Sequence, residues 1–214
     1  EYQSLWWVGN NYFSDENLKK ANNLLVNYHH KQWIGEYWGG GTLSSSDGQR
    51  FPTSGKIRNA KSIPQYFAYG QGVGIYTHTI DQYPQFGTQI VEVHDRDSTY
   101  TLNEILANET DLPLYEHTTD THGYTDLNFA LFDLVGKQFS PRIRDIKDQR
   151  LYKITGKHVQ EMDYPSLKFT GTVNIDYLKR FANDMERVAA SLKIGVLHLQ
   201  LLSISYRRIP DKTI

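Results

Sequence analysis

At residues 42–52 the chain reads Thr42-Leu43-Ser44-Ser45-Ser46-Asp47-Gly48-Gln49-Arg50-Phe51-Pro52, and at residues 117–126 it reads His117-Thr118-Thr119-Asp120-Thr121-His122-Gly123-Tyr124-Thr125-Asp126. Each stretch places one acidic residue among small hydroxyl residues and glycine, where an extended segment gives way to a turn or a helix. Two such carboxylates on paired strands are able to share a metal ion. From the residues alone, a turn or cap role for each aspartate is the commoner interpretation.

The composition is typical of a globular domain. The 214 residues are 39% hydrophobic and 22% charged, and none is a cysteine, which excludes disulfides and thiolate metal sites. No apolar run approaches the ~20 residues that span a bilayer. The first residues, Glu1-Tyr2-Gln3-Ser4, do not resemble a signal peptide. We therefore predict a cytoplasmic location.

The charge balance gives no global signal for nucleic acid, because 23 Lys and Arg face 24 Asp and Glu for a formal net charge of −1. A DNA-binding surface must then be a local patch. Arginine forms bidentate pairs with phosphate, which makes Arg50, Arg142 and Arg144 candidate phosphate contacts. A solvated edge, or an ion pair with a neighbouring aspartate, explains them equally well. The same ambiguity holds for the basic loop that contains Lys56, Arg58 and Lys61.

The hydrophobic pattern predicts an α/β domain behind a helical N-terminal segment. Residues 1–36 are predicted to be helical, with Ser14 as an N-cap and with Trp6, Trp7 and Trp33 packing this layer onto the core. Predicted strands cover residues 43–51, 73–80, 88–94, 114–119 and 138–143. Predicted helices cover 101–106, starting from a capping box at Thr101-Leu102-Asn103-Glu104, and 125–135, stopping at Gly136. Residues 156–172 read as an insertion, and 175–192 as one amphipathic structural helix.

The residues also suggest two other kinds of site, and both are disfavoured by spacing or order. His78, His117 and His122 with Asp120 suggest zinc, but His117 and His122 are five apart with no third histidine at a helical spacing, which disfavours it. Polar packing, or orientation of Asp120, is the simpler role for these histidines. The glycine-rich stretch Gly70-Gln71-Gly72-Val73-Gly74 precedes a strand, whereas a dinucleotide-binding loop follows one, so no such site is predicted.

Three motifs resemble a known family in content and order: Ser44-Ser45-Ser46-Asp47-Gly48-Gln49-Arg50-Phe51, His117-Thr118-Thr119-Asp120-Thr121-His122-Gly123-Tyr124 and Phe139-Ser140-Pro141-Arg142-Ile143-Arg144-Asp145. They are similar to the catalytic core of the Tn3-family transposases, which move replicative bacterial transposons, and the similarity runs from about Trp38 to about Gly195. The resemblance implies a ribonuclease-H-like fold. It also implies that Asp47 and Asp120 are the first two acids of a DDE triad.

The third acid of that triad is expected to be a glutamate within an Asn-Lys-Gly-Glu motif on a later helix, and this sequence has no such motif. Glu161 and Glu186 match neither its context nor its distance. The expectation is therefore that the glutamate lies beyond Ile214 in a longer parent protein, so that the isolated segment is inactive. A chain cut from that parent and a disrupted gene remain alternative explanations.

The combined prediction is an α/β, ribonuclease-H-like mixed five-stranded sheet flanked by helices. Residues 1–41 form a helical lead-in, 42–150 the catalytic core, and 151–214 an insertion or helical elaboration. The expected function is DNA strand cleavage and strand transfer at transposon ends, with Mg²⁺, or Mn²⁺ as a substitute, held by Asp47 and Asp120. The resemblance implies DNA as partner and a homodimer of the full-length protein. The alternatives are a non-catalytic fragment with weak DNA affinity and a metal-dependent hydrolase of another substrate.

Overall fold

The fold is taken from a computed structural model, which describes residues 1–54, 57, 59–93, 97–155, 169–198 and 201. Its centre is a five-stranded mixed sheet in the order β3-β2-β1-β4-β5. The strands are β1 (Leu43–Thr53), β2 (Gln71–Ile80), β3 (Gln85–Val91), β4 (Glu116–Thr119) and β5 (Gln138–Phe139). The first three are antiparallel neighbours, whereas β4 is parallel to β1 and β5 is parallel to β4.

Seven helices and a second pair of strands complete the described part of the chain. The helices are α1 (Tyr2–Tyr12), α2 (Asp15–His30), α3 (Pro64–Phe67), α4 (Asn103–Leu106), α5 (Asp126–Leu134), α6 (Ile175–Arg180) and α7 (Ala182–Lys193). Short 3₁₀ turns occur at Gly35–Tyr37, Asp97–Thr99 and Ile146–Asp148. Strands β6 (Leu151–Thr155) and β7 (Phe169–Asn174) form a separate parallel pair.

The predicted order of three strands, a helix, a strand, a helix and a last strand is confirmed, and it matches a ribonuclease-H-like sheet. Strand β1 is central because it pairs with β2 on one side and β4 on the other. The parallel β1–β4 register runs from Leu43 opposite Glu116 to Ser46 opposite Thr119. This pairing brings the two motifs around Asp47 and Asp120 side by side.

One face of the sheet is covered by a core built largely from α4, α5 and α7. Its main cluster contains Leu102, Ile105, Leu131, Phe132, Val135, Phe139 and Leu192. A second cluster joins α2 to the sheet through Val26, Ile80, Phe86, Leu112 and Leu114. On β2 every second residue is buried, including Tyr76, His78 and Ile80, as the period of two in a strand requires.

Helix α5 forms as the sequence predicts. Thr125 is its N-cap and accepts a hydrogen bond from the Asn128 backbone N–H at 3.1 Å. The helix is followed by Gly136 at φ +76°, a backbone conformation that favours glycine and that ends the helix at its predicted position. Ser14 likewise caps α2, accepting from the Asn17 N–H at 3.3 Å.

The predicted packing of the tryptophans is wrong. Trp6, Trp7 and Trp33 remain 62%, 52% and 69% exposed, and α1 has no buried residue. Within α2 only Val26 is buried, so the contact of the N-terminal layer with the sheet is made by aliphatic and polar groups of α2. An aromatic-rich helical pattern does not by itself specify which surface of the protein covers it.

The predicted capping box at Thr101 is also wrong. Helix α4 begins at Asn103 with Leu102 as N-cap and without a side-chain capping bond. The Thr101 hydroxyl is fully buried and donates instead to the Asp97 backbone carbonyl at 3.3 Å. A tertiary contact has therefore replaced the local hydrogen bond on which the capping prediction depended.

Two further boundaries differ from prediction. Strand β5 ends at Phe139 instead of residue 143, although the N–H groups of Ser140 and Arg142 still donate to the His117 and Thr119 carbonyls of β4, each at 2.8 Å. The predicted helix over 175–192 is divided at Phe181, whose N–H bonds the Leu178 and Lys179 carbonyls in place of the residue four positions back. The predicted insertion at 156–172 falls mostly outside the described residues, and its last residues belong to β7.

Within the described ranges, none of the helices combines the length and the hydrophobicity that crossing a bilayer requires.

Candidate active site

The two predicted metal ligands lie in one cleft. Asp47 is in the middle of β1, opposite Thr77 of β2, and Asp120 immediately follows the last residue of β4. Ser46 pairs with Thr119, and the residue that follows each of them is an aspartate, so Asp47 and Asp120 lie at equivalent positions of the two segments. Residues paired across a sheet project to the same face. Both aspartates accordingly line the same open cleft, which has a volume of about 440 Å³.

Asp120 is held by a tight turn. Its Oδ1 accepts hydrogen bonds from the backbone N–H groups of His122 at 2.9 Å and Gly123 at 3.3 Å. Its Oδ2 accepts from His122 Nδ1 at 2.8 Å. Partial burial works to raise the pKa of Asp120, but these hydrogen bonds outweigh it and lower the pKa below its usual value. The side chain is therefore an anion at neutral pH, and it raises the pKa of His122 in turn.

Asp47 is more exposed and has a simpler environment. Its Oδ1 accepts the N–H of Gly48 at 2.7 Å. Within the part of the chain that the structure describes, this is the one hydrogen bond to the carboxylate, and its remaining lone pairs are open to the cleft and solvent. The two aspartates thus present carboxylate oxygens from adjacent parallel strands.

The rest of the cleft is polar. Its lining comes mainly from alternate residues of β1, β2 and β4 on the face opposite the main core: Ser45, Gln49, Thr77, Thr79 and Thr118, with Ser46, Gln85, Thr119 and Arg142 at its margins. Carboxylate, hydroxyl and amide oxygens are the donor types that Mg²⁺ prefers, usually with water completing the coordination. The donor set therefore fits a Mg²⁺-type ion. Among the described residues, no three His, Asp or Glu side chains converge to hold an ion by themselves.

A family model described as the Tn3 transposase DDE domain matches residues 1–203 of this chain. The chain belongs to this family. It is 39% identical over 203 residues to the transposase for transposon Tn501 of Pseudomonas aeruginosa, covering 94% of this chain and 20% of that protein. It is 38% identical over 190 residues to the transposase for Tn1546 of Enterococcus faecium, covering 88% of this chain and 19% of that protein.

A third relative, the transposase for Tn21 of Escherichia coli, is 39% identical over 203 residues, again covering 94% of this chain and 20% of the relative. The chain thus spans about a fifth of the length of the curated relatives it matches. No solved structure matches the chain significantly. Membership of the DDE family does not favour the alternative predictions of a non-catalytic fragment or of a hydrolase acting on another substrate.

The three arginines of this DDE domain that were predicted as phosphate contacts have different environments. Arg142 lines the cleft, and its backbone N–H donates to the Thr119 carbonyl at 2.8 Å, which places it beside the end of β4. Arg50 pairs with Gly74 and lies on the opposite sheet face from Asp47, with its guanidinium 4.4 Å from the centre of the Tyr66 ring. Arg144 is paired with its neighbour Asp145 at 3.3 Å. Of these three arginines, Arg142 alone shares the cleft with the aspartates.

The basic loop contributes little that is described, since Lys56 and Arg58 lie outside the described residues. Lys61 makes a backbone bridge to Gly72.

The three histidines that suggested a zinc site in the sequence have two kinds of environment in the structure. His78 and His117 are buried under the sheet with ring centroids 5.5 Å apart, whereas the His122 side chain is 82% exposed. Both ring nitrogens of His117 are engaged by serine hydroxyls at 2.8 Å. The geometry therefore gives the zinc alternative no support among the described residues.

Asp97 is a third carboxylate near the site that the sequence analysis missed. It follows β3 and lies against Gly48, the residue after Asp47 in β1, and it does not line the cleft. Burial raises the pKa of Asp97, and the carboxylates of Asp120 and Asp47 add to this while Arg50 opposes it. The only sequence signal was an acid placed between the third strand and the next helix, which does not distinguish a site residue from a surface one.

Proposed function

We propose that this chain is the catalytic core of a DNA transposase, performing metal-dependent strand cleavage and strand transfer at transposon ends. The observation that carries the proposal is the placement of Asp47 and Asp120 side by side on adjacent strands, in one polar cleft, in a chain of the DDE family. The transposase relatives support DNA as the substrate.

Asp47 and Asp120 are proposed to hold Mg²⁺, with Mn²⁺ as a substitute. When bound, such ions activate the attacking oxygen and neutralise charge on the phosphate. The hydrogen bonds that keep Asp120 ionised leave it ready to act as a ligand at neutral pH. The exposed oxygens of Asp47 are open to the same cleft. Both acids thus offer the oxygen donors that a hard cation requires.

Arg142 is the proposed contact for a DNA phosphate near the site, because its side chain enters the cleft. Arg50 and Arg144 are proposed as secondary contacts, although one lies over Tyr66 and the other is ion-paired. The hydroxyls of Ser45, Thr77 and Thr118 are able to donate hydrogen bonds to phosphate or sugar oxygens along the strands.

A third acidic ligand is proposed to come from outside the described cleft, so the isolated chain is expected to cleave DNA poorly or not at all. Glu186 lies on α7, which packs on α5, and does not line the cleft. Glu161 lies outside the described residues.

The division of the chain at residues 41 and 150 stays a prediction. A homodimer that acts on paired transposon ends and a cytoplasmic location are also predictions.

The function is tested by nicking of supercoiled DNA that carries transposon ends, using a transposase in which this chain forms the DDE domain. With Mg²⁺, the proposal expects end-specific nicks that EDTA abolishes. Asp47→Asn and Asp120→Asn should each lower the cleavage rate by at least about 100-fold, because each removes an anionic ligand. Asp111→Asn is the matched control, since Asp111 pairs with Lys31 on the surface. Full cleavage by both site variants would contradict the proposal.

A further inference from the structure

Strand β1 lacks the pattern that normally fixes a strand in its register. Its residues facing the covered side of the sheet are Ser44, Ser46 and Gly48, which carry no large apolar group. The equivalent residues of β2 are Tyr76, His78 and Ile80. Register is strongly specified where apolar side chains occupy one face, and a slip by one residue turns every side chain to the other face. In β1 other contacts must provide this specification.

His117 of β4 supplies those contacts. Its side chain is 1% exposed, and its Nδ1 lies 2.8 Å from Ser44 Oγ while its Nε2 lies 2.8 Å from Ser46 Oγ. One ring therefore bridges two successive inward positions of the neighbouring strand. A shift of β1 in either direction would break at least one of these bonds.

The surrounding hydrogen bonds fit two arrangements of protons, both with a neutral His117 ring. In the first, Ser44 Oγ donates to the Glu116 carbonyl at 3.2 Å and accepts from His117 Nδ1–H, while Nε2 accepts from the Ser46 hydroxyl. In the second, the Ser44 hydroxyl donates to Nδ1, and Nε2–H donates to the Ser46 oxygen. Each arrangement keeps both hydrogen bonds between His117 and the serines. Burial, reinforced by His78, keeps the pKa of His117 well below its usual value, in agreement with a neutral ring.

Aromatic packing holds the His117 ring in this orientation. The ring stacks on Phe132 with centroids 5.7 Å apart and planes 16° from parallel, and on Phe139 at 6.5 Å and 10°. Phe132 is fully buried in the main core cluster. The ring is thus fixed by the core on one side and bonded to β1 on the other.

We infer that His117 is a positioning residue that, through Ser44 and Ser46, fixes the β1–β4 register and thereby places Asp47 beside Asp120. Ser46 immediately precedes Asp47, and its partner Thr119 immediately precedes Asp120. The hydrogen bonds of His117 to Ser44 and Ser46, called the clamp here, lie on the covered face of the sheet, whereas the two carboxylates lie on the open face. His117 therefore acts on the site without contacting it. The inference rests on the proposed metal-binding role of the two aspartates.

The test replaces the polar clamp by apolar groups of similar size. His117→Phe combined with Ser44→Ala and Ser46→Ala keeps a ring against Phe132 and leaves the Tyr76 hydroxyl its contact with Thr101 Oγ1 at 3.3 Å, which favours retention of the fold. Mn²⁺ affinity of the 214-residue chain is measured from the loss of the free-ion EPR signal. The expected result is an affinity at least about 10-fold weaker than that of the unmodified chain, as found when groups that orient metal ligands are removed. A folded triple variant that binds Mn²⁺ as tightly would overturn the inference.

Two further variants separate positioning from general destabilisation. Gln82→Leu removes a buried side chain that donates to the Gly39 carbonyl at 2.8 Å and bonds His30 at 2.9 Å, outside the cleft. It should lower the unfolding midpoint while leaving Mn²⁺ affinity unchanged. The single variant His117→Gln keeps both serines and has a side chain that can donate to one hydroxyl and accept from the other. Its Mn²⁺ affinity should therefore lie between those of the triple variant and the unmodified chain. If Gln82→Leu weakens Mn²⁺ binding as much as the triple variant does, a positioning role is excluded.

A register measurement distinguishes failure of the clamp from failure of the metal site. Backbone NOEs between Ser46 and Thr119, and amide exchange at β4, are compared in the unmodified chain and in Ser46→Ala, which removes one hydroxyl, and circular dichroism checks that the variant is folded. The inference expects weaker NOEs and at least about 10-fold faster exchange, with β2–β3 unchanged. If the unmodified chain binds no Mn²⁺, the proposal of a preformed metal site in this chain fails, yet this measurement still decides the clamp. Unaltered NOEs and exchange would refute it.

Discussion

The carboxylate of Asp97 lies directly against the backbone of Gly48, so that a Cβ at position 48 would come within 3.0 Å of Asp97 Oδ1 and 3.1 Å of Oδ2. Gly48 follows the proposed metal ligand Asp47 and donates its N–H to that carboxylate at 2.7 Å. The close approach of Asp97 therefore constrains the backbone next to the candidate site. It also explains why glycine suits this position of β1.

Gly48→Ala should destabilise the fold by about 1 kcal/mol or more, because the added methyl group forces Asp97 or the strand to move. The measurement is urea unfolding followed by circular dichroism. Gly40→Ala is the control, since a Cβ there meets nothing within 4 Å. In a double-mutant cycle, Asp97→Ala should reduce the cost of Gly48→Ala. If Gly48→Ala lowers the free energy of unfolding equally with Asp97 and with Ala at position 97, the two residues are not in contact.

Asp97→Asn should stabilise the chain at pH 7. Burial raises the pKa of Asp97, so the folded state binds its proton more tightly than the unfolded state does. The stability from this group is present below its unfolded pKa, near 3.8, and is lost as the pH rises through the higher folded pKa. The advantage of the asparagine variant should consequently appear at neutral pH and vanish at about pH 3. Urea midpoints of both proteins at the two pH values provide the test, and a variant less stable at pH 7 would refute it.

Acid should weaken the fold through His78. Burial lowers the pKa of His78 to about 4, from 6.5 in the unfolded chain. The unfolded state therefore binds the proton first, and stability falls as the pH drops from 6.5 towards 4, by on the order of 3 kcal/mol. His78→Asn should cost stability at pH 7.5 but flatten this dependence. Urea unfolding between pH 7.5 and 4.5 measures it, and parallel curves for the two proteins would contradict the assignment.

Arg142→Gln should weaken DNA binding and reduce the slope of log affinity against log salt by about 1, as expected for the loss of one phosphate contact. Arg144→Gln should have a smaller effect, because that guanidinium is already paired with Asp145. Arg187→Gln serves as the control, because Arg187 is paired with Asp184 on α7 and does not line the cleft. Fluorescence anisotropy with a labelled duplex over a range of salt concentrations gives the slopes. If the salt slope of Arg142→Gln equals that of the unmodified chain, Arg142 does not contact a DNA phosphate.

The sequence was sufficient for the order of elements because the period-two pattern of β2 and the capped helix α5 are locally encoded. Ser14 and Gly136 behave as predicted because each acts through hydrogen bonds or backbone geometry within its own segment. The three motifs carried the family assignment, which the comparisons confirm.

What the sequence did not reveal depends on contacts between distant segments. The Thr101 hydroxyl bonds the Asp97 carbonyl instead of capping α4, and the tryptophans of α1 stay exposed. The clamp formed by His117 joins residues more than 70 positions apart, so no local pattern indicates it. The close approach of Asp97 to Gly48 likewise joins residues that are 49 positions apart in the sequence (97 − 48 = 49).

The most direct test of the central claim is anomalous diffraction from crystals of the chain soaked in MnCl₂, compared with the Asp47→Asn variant. The account predicts a manganese peak between the carboxylates of Asp47 and Asp120 that disappears in the variant, with the sheet unchanged. A peak elsewhere, or carboxylates that point apart with no ion between them, would contradict the assignment of these two aspartates to one metal site.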